Sequence, residues 1–297
     1  MDALALFLVL ASSGIHAAWN LLAHASRANH WLFLRATFLV AAFGLPPAVL
    51  LQWETGAFPP RVWGLLVVTG MFQAVYYLGL AQGYARGQFT IVYPVARSLP
   101  ILLLAAGDVV RGVGPSPQGW AGLGLVAVGC VVMPLDSLGT IRIRTYWNRT
   151  LVWALVAALG TTGYTMVDKL AADALVERAL STSPLGAGCY MILIAVFTLP
   201  WLGAALRLVP PPGGIESRPP RWREAAALGA LMYGAYGLVL WAYQLTAQAS
   251  YIVAVRQFSI VLGVTAGTLL FHEAAPRLRI GAALLITAGV AILSRAA

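Results

Sequence analysis

Tyr93-Pro94-Val95-Ala96-Arg97-Ser98-Leu99-Pro100 and Ile252-Val253-Ala254-Val255-Arg256-Gln257-Phe258-Ser259 each place one arginine inside a long apolar segment. An arginine without compensation in hydrocarbon costs from a few to more than about 10 kcal/mol, depending on how the cost is measured. Arg97 and Arg256 should therefore face a partner, a water-filled cavity or a ligand.

The two arginines lie 159 residues apart (256 − 97 = 159), and this offset recurs along the chain. Without any gap it relates Trp63 to Trp222, Gly70 to Gly229, Tyr77 to Tyr236, Tyr84 to Tyr243, Pro117 to Pro276 and Gly122 to Gly281. Some matches arise by chance in so apolar a chain, but matched tryptophans, tyrosines, prolines and arginines are harder to dismiss. We interpret the chain as two copies of one membrane unit.

The composition is that of a polytopic membrane protein. The chain has 297 residues, of which 60% are hydrophobic and 10% charged, and its mean hydropathy is +0.80. A soluble domain would carry about 25% charged residues, so a soluble core is excluded. Cys130 and Cys189 lie in apolar segments without metal-ligand spacing, and we expect them to be small packing residues. We therefore predict no metal and no other cofactor.

The net charge of +9 comes almost entirely from arginine, because Lys169 is the only lysine. Most arginines lie between apolar segments, where they fit membrane topology and contact with lipid headgroups. Nucleic-acid binding has no support, since no soluble basic domain exists to carry it. Arginine in place of lysine, with abundant alanine and glycine, indicates a GC-rich bacterial genome, and we expect a multi-pass protein of the bacterial inner membrane.

A membrane-crossing helix needs about 20 mainly apolar residues, and the chain contains ten such windows. They are 4–23, 31–51, 62–84, 88–110, 118–135, 150–171, 184–206, 225–246, 250–271 and 277–294. The strands of a membrane β-barrel would instead alternate polar and apolar residues. The predicted fold is therefore an all-α membrane protein with ten transmembrane helices.

The offset divides these helices into two five-helix repeats, residues 1–136 and 150–297, joined by a connecting loop at 137–149. Five is an odd number, so the second repeat must enter the membrane inverted. Inverted repeats favour a binding site near the bilayer midplane, between the two halves.

Three motif-bearing stretches resemble the EamA-type family of the drug/metabolite transporter superfamily. They are Gly14-Ile15-His16-Ala17-Ala18-Trp19-Asn20, Tyr93-Pro94-Val95-Ala96-Arg97, and Phe271-His272-Glu273 followed by Gly281-Ala282-Ala283-Leu284. The resemblance covers nearly the whole chain. It implies a ten-helix carrier of small metabolites, often an exporter, that uses neither ATP nor a metal. One departure is Gly112-Val113-Gly114, near the position where the family usually has the glutamate that matches Glu273.

Arg97 and Arg256 are the first candidates for substrate binding. Each lies roughly 9–14 Å into its predicted helix at about 1.5 Å per residue. Two structural alternatives remain open, namely an ion pair with Asp168 and snorkelling to the nearer interface.

The first and sixth predicted helices supply further candidates. His16 and Asn20 are four residues apart and share a helix face. His16 could bind substrate, take a proton near neutral pH, or serve only an interhelical hydrogen bond. Asp168 falls near the position equivalent to Asn20, with Tyr164 one turn before it. Asp168 could pair with an arginine or a substrate amine, or be protonated, which would suit proton coupling.

Four residues complete the predicted binding set: Gln73, Tyr77, Tyr236 and Gln257. Tyr77 and Tyr236 occupy equivalent positions and lie deep enough to line a pocket. A second set of aromatic residues lies near the ends of the predicted helices, where we expect an aromatic belt at the membrane interface. That set is Trp63, Trp222, Tyr84 and Tyr243.

A secondary transporter fits these features better than an enzyme or a receptor. His272-Glu273-Ala274-Ala275-Pro276 has no second histidine, so no zincin motif is present, and no GxSxG elbow occurs. Two cations, a carboxylate, a histidine and several aromatic residues suit a small anion or zwitterion, such as an amino acid. An aminophosphonate, a lipophilic drug and a cation stay open as alternatives. The expected partners are this substrate and the lipid bilayer, and a monomer is sufficient.

The orientation in the membrane is ambiguous. With ten spans both termini share one side, which holds Arg61, Arg111, Arg178, Arg295 and, if it lies near the surface, Lys169. The other side holds Arg27, Arg86, Arg142, Arg144, Arg149, Arg207, Arg218, Arg221, Arg223, Arg277 and Arg279. The positive-inside rule places this second group in the cytoplasm, whereas the family resemblance implies cytoplasmic termini.

We expect the charge bias to decide the orientation. Reporter fusions at Ala297 should therefore indicate a C-terminus outside the cytoplasm. A cytoplasmic signal at that residue would show that the orientation of the family overrides the arginine distribution.

Overall fold

Every regular element in the described part of the chain is an α-helix. The computed structural model describes residues 3–27, 29–55, 58–110, 112, 115–139, 146–176, 184–212, 221–244 and 255–296. Ten helices lie within these ranges. They are α1 (Ala3–Ala25), α2 (Leu32–Thr55), α3 (Pro60–Arg86), α4 (Phe89–Val110), α5 (Pro117–Val132), α6 (Arg149–Val176), α7 (Pro184–Leu208), α8 (Trp222–Gln244), α9 (Phe258–Phe271) and α10 (Pro276–Ala296). The predicted all-helical class is confirmed.

Seven of these helices are long and apolar enough to cross a membrane, namely α1, α2, α3, α4, α6, α7 and α10. Two others are apolar but shorter, since α5 has 16 residues and α9 has 14. The remaining helix, α8, is 23 residues long. The chain is therefore a membrane protein, and the crossing of all ten helices stays a prediction.

The fifth and ninth helices differ from their predicted windows. Window 118–135 ends early, because the helix stops at Val132 and Pro134, two residues on, has no N–H to donate. Window 250–271 is interrupted, because Val255 and Arg256 are helical, Gln257 forms a turn, and α9 starts at Phe258. Residues 250–254 of that window lie outside the described residues.

The most extensive contacts between helices repeat with an offset of five helices. For each of these pairs of helices, the two helices that lie five places away along the chain are also in contact. The helix α3 packs against α6 and α7, and α8 packs against α1 and α2. In the same way α4 packs against α6, and α9 packs against α1. Three pairs map onto themselves, namely α2 with α7, α4 with α9 and α5 with α10.

The helices of these three pairs run antiparallel. Near the start of α2, His30 Nε2 lies 2.9 Å from the carbonyl oxygen of Leu206, near the end of α7. The Cys189 thiol, near the start of α7, donates to the Ala48 carbonyl at 3.6 Å, close to the end of α2. The helices α4 and α9 are antiparallel as well, because Phe89 at the start of α4 packs against Gly267 and the later Tyr93 packs against the earlier Gly263.

Glycines bring the helix backbones together. A Cβ atom on Gly79 of α3 would lie 2.5 Å from the Ala157 backbone nitrogen of α6, and one on Gly160 would lie 2.5 Å from the Tyr76 nitrogen. Gly122 and Gly289 face each other in the same manner between α5 and α10. Small residues at such contacts let helices in lipid gain van der Waals packing without a hydrophobic driving force.

Replacing one of these glycines should therefore destabilise the fold. We expect Gly79→Ala to lower the free energy of unfolding by about 1–3 kcal/mol, because its methyl group would overlap the α6 backbone. Gly64, on the same helix, has no atom within 4 Å of an added Cβ. Gly64→Ala should be neutral or stabilising by up to about 1 kcal/mol, since alanine is the better helix former. Melting temperatures of both purified variants in one detergent test this, and equal values would contradict it.

Candidate functional site

A cluster of aromatic rings joins five helices in the largest apolar core. The rings of His16 and Tyr93 are 6.0 Å apart, those of Tyr76 and Tyr164 are 5.8 Å apart, and Tyr76 and Tyr77 are separated by 5.3 Å. We define the aromatic cluster as His16, Trp19, Phe33, Tyr76, Tyr77, Tyr93 and Tyr164. Its members come from α1, α2, α3, α4 and α6.

Both arginines of the repeated stretches lie beside this cluster. Arg97 and Arg256 each interact electrostatically with His16, Tyr76, Tyr93 and Tyr164. Two residues that are 159 positions apart in sequence therefore act on the same side chains, and a shared positive field extends over the aromatic cluster.

Five of the predicted binding residues carry a buried polar atom that has no hydrogen-bond partner within the described ranges. These atoms are His16 Nε2, Gln73 Oε1, Arg97 Nε, Asp168 Oδ2 and Gln257 Oε1. A buried polar group without a partner costs about 1–3 kcal/mol, and more when it is charged. The set includes both donors and acceptors, as a zwitterionic ligand would require.

His16 offers a hydrogen-bond donor at its Nε2 atom. Its Nδ1 accepts the indole N–H of Trp19 at 3.2 Å, so in a neutral ring the proton belongs on Nε2, the unpartnered nitrogen. Asn20 is in a different situation, because its amide donates to the His16 carbonyl at 2.8 Å and its carbonyl accepts the Tyr84 hydroxyl at 2.7 Å. Asn20 therefore links α1 to α3 within the protein.

Asp168 is held by hydroxyl groups. Its Oδ1 accepts hydrogen bonds from Thr69 at 2.7 Å and Tyr190 at 2.8 Å. In the described part of the chain Arg97 does not lie within ion-pair distance of this carboxylate. The structure therefore does not show the ion pair between Arg97 and Asp168 that the sequence left open.

Tyr236 extends the site toward the second half of the chain, and Gln257 lies at the start of α9. Tyr236 interacts with Tyr190 and so belongs with the Asp168 group. Gln257 is buried, and its backbone carbonyl accepts the N–H of Ile260 at 2.8 Å, at the start of α9. Tyr164 connects the two groups, because it contacts Tyr76 and interacts with Asp168 one helical turn away.

The sequence analysis did not predict Tyr93 and Tyr190 as members of the site. Tyr93 lies four residues before Arg97 and hence on the same helix face, a signal that the sequence contains. Tyr190 lies on α7 in an apolar segment, and nothing local distinguishes it from an interfacial tyrosine. The expectation that Tyr84 belongs to an aromatic belt is wrong, since it is 1% exposed and bonds to Asn20.

A second polar cluster lies where α4 and α10 begin, and we call it the Glu273 cluster. Its residues are His24, Thr90, Asp136, Glu273 and Arg279. The Glu273 carboxylate accepts hydrogen bonds from the backbone N–H groups of Phe89 at 2.7 Å and Thr90 at 2.9 Å, and from the Thr90 hydroxyl. It thereby caps α4, whose first N–H groups have no partner within the helix.

Arg279 is fully buried at 0% exposure, so counting it among the surface arginines was wrong. It donates to Thr90 Oγ1 at 2.5 Å and to Asp136 at 3.2 Å, and lies 3.5 Å from Glu273. Two carboxylates and a hydroxyl compensate its desolvation, which makes burial possible.

The loop between α9 and α10 places the Glu273 carboxylate beside the start of α4. His272 has φ of 50° and Ala275 has φ of 53°, values in the left-handed region that non-glycine residues seldom adopt. Such residues cost about 1–3 kcal/mol each and persist only where surrounding contacts hold them. The hydrogen bonds of Glu273 supply those contacts.

Comparison with known proteins bears on the fold alone. No family model matches the chain, and no curated protein matches it. A solved structure described only as "Crystal structure of protein" is similar to it, with a TM-score of 0.53 and 17% sequence identity. The alignment covers 98% of this chain and 96% of the other, so the two share their overall fold along nearly their whole length.

Removing the buried arginine should destabilise the protein strongly. We expect Arg279→Gln to lower the free energy of unfolding by about 3–5 kcal/mol, because it leaves the Glu273 carboxylate without its cation. Arg277 is exposed on the same helix, and Arg277→Gln should change stability by less than about 0.5 kcal/mol. Glu273→Gln combined with Arg279→Gln should recover part of the loss. Thermal unfolding of the four purified proteins tests this, and an unaffected Arg279→Gln would contradict it.

Proposed function

We propose that this chain is a secondary transporter, in the direction of export, for small anionic or zwitterionic metabolites. The observation that carries the proposal is that Arg97 and Arg256 act on the same side chains of the aromatic cluster. In addition, several predicted binding residues, His16 of the cluster among them, carry buried polar atoms without a partner in the described ranges. Ionisable groups at membrane depth mark substrate pathways more often than packing. The proposed location is the bacterial inner membrane.

The proposed architecture is ten membrane crossings in two inverted repeats, residues 1–136 and 150–297, of the EamA type. The exchange pattern of the helix contacts supports two equivalent halves. The antiparallel packing of α2 with α7 and of α4 with α9 supports inversion. An axis in the membrane plane reverses the direction of each helix, whereas an axis along the membrane normal would leave it unchanged.

The chemistry of the site defines the substrate class. The guanidinium groups of Arg97 and Arg256 suit a carboxylate or a phosphonate, and His16 Nε2 offers a further donor. The Asp168 oxygen that has no partner in the described ranges suits an amino group. Amino acids and related compounds are therefore the leading class, and aminophosphonates share the same pair of charges.

Transport of lipophilic drugs or cations is the second candidate. The density of aromatic rings favours it, since tyrosine and tryptophan faces attract cations. The positive charges of the two arginines would repel a cation at the same place, and we rank this function below the first.

Asp168 is also proposed as a proton carrier. We therefore expect the variant Asp168→Asn to lose any stimulation of flux by a pH gradient.

The arginines provide the direct test. We expect Arg97→Gln and Arg256→Gln each to leave a folded, membrane-inserted protein whose flux of amino acids in proteoliposomes falls at least about tenfold, equivalent to roughly 1.4 kcal/mol. Glutamine keeps much of the length and some hydrogen bonding but removes the charge. Arg61 is exposed at the start of α3, and Arg61→Gln is the matched control that should transport normally.

Stability must be measured on the same preparations. A large loss of melting temperature in Arg97→Gln that Asp168→Asn restores would assign the arginine a structural role. Normal flux in both single variants would remove these arginines from the mechanism. Faster flux of organic cations in either variant would favour the second candidate function.

A further inference from the structure

A cavity of about 440 Å³ lies outside the aromatic cluster, where α1 and α3 end. The polar and charged residues that line it include His24, Arg27, Arg86, Gln88, His272 and Glu273. Tyr84 also lines it. The Tyr84 ring stacks on Phe89, which stacks on Tyr93 of the aromatic cluster, with centroids 5.8 and 5.0 Å apart. A continuous stack of rings therefore separates this cavity from the proposed substrate site.

The two arginines of the cavity lack carboxylate partners within the described ranges. Arg27 lies 3.4 Å from both the ring nitrogen Nε2 and the carbonyl oxygen of His24. Arg86 donates to the backbone carbonyl of Gln82 at 3.2 Å and to its side chain, and lies 5.7 Å from the Trp153 ring. The charge of Arg149 also acts on Arg86 and adds to the positive field.

The acidic residue of the cavity is already engaged elsewhere. The Glu273 carboxylate accepts hydrogen bonds from the start of α4 and pairs with Arg279. It therefore neutralises Arg279 rather than Arg27 or Arg86, and the cavity keeps a net positive charge.

His24 adds a buried polar group that faces this space. It is 3% exposed, and its Nε2 lies 3.8 Å from Glu273 and 3.4 Å from Arg27. Its Nδ1 has no hydrogen-bond partner in the described part of the chain. A ligand oxygen that reached this nitrogen would supply the missing partner.

We propose that this cavity is a second anion site that binds a carboxylate or phosphoryl group through Arg27 and Arg86, with His24 as a further hydrogen-bonding group. Arginine forks suit both kinds of anion. The anion is either a small soluble molecule or the headgroup of an acidic lipid, because the site lies at the arginine-rich end of the helices. The proposal does not depend on transport, since binding is measured directly.

Histidine resonances separate this site from the first, because the chain contains only four histidines. His24 and His272 line the cavity, His16 lies in the aromatic cluster, and His30 bonds to the Leu206 carbonyl. The experiment uses the full-length protein, labelled with nitrogen-15 at histidine, in phosphatidylcholine nanodiscs. Inorganic phosphate is titrated at constant pH and ionic strength against a chloride control.

We expect saturable shifts of His24 and His272 with His30 unchanged. The double variant Arg27→Gln with Arg86→Gln should weaken phosphate binding at least tenfold. Arg35 is the matched control, because it lies over Trp222 at 4.8 Å much as Arg86 lies over Trp153, yet it does not line the cavity. Arg35→Gln should bind phosphate as the unmodified protein does.

A second arm identifies the source of the anion. In nanodiscs that contain phosphatidylglycerol, a lipid ligand would shift His24 and His272 before any phosphate is added, and phosphate would then compete poorly. A free anion as the ligand would leave the phosphate titration unchanged. Shifts confined to His16, no saturable response in either arm, or an unaltered response in the double variant would each overturn the proposal.

Discussion

The hydrogen bonds between the Glu273 carboxylate and the first N–H groups of α4 hold the second half of the chain against the first. They satisfy the first N–H groups of a helix and the buried charge of Arg279 together. Either group would be costly alone, because a buried ion or a buried N–H without a partner costs several kcal/mol. The contact joins α1, α4 and α10 through His24, Thr90 and Arg279.

This contact has no counterpart in the other half of the sequence. The position 159 residues before Glu273 is Gly114, which has no side chain to accept a hydrogen bond. The two ends of the molecule are therefore unequal although the helices are arranged equivalently. Separating the halves at the Glu273 end would require breaking several charge-assisted hydrogen bonds.

The helices could be predicted from sequence because a run of about 20 apolar residues has few other stable arrangements in lipid. The convergence of Arg97 and Arg256 could likewise be anticipated, since both a buried charge and a regular offset leave traces in the sequence. The start of α9 could not, because the turn at Gln257 interrupts a stretch that reads as continuously apolar. The burial of Arg279 was also hidden, because Thr90 and Asp136 are 189 and 143 positions away. An arginine near the start of a helix looks interfacial until those distant partners are known.

The antiparallel arrangement of α2 with α7, α4 with α9 and α5 with α10 has an electrostatic consequence. Each helix carries about half a positive charge at its start and half a negative charge at its end. Antiparallel neighbours place opposite ends side by side, so their fields largely cancel along the membrane normal. The potential inside the aromatic cluster then comes mainly from the charged side chains beside it, namely Arg97, Arg256 and Asp168. An anion held there would be attracted to one point rather than drawn toward either face of the membrane.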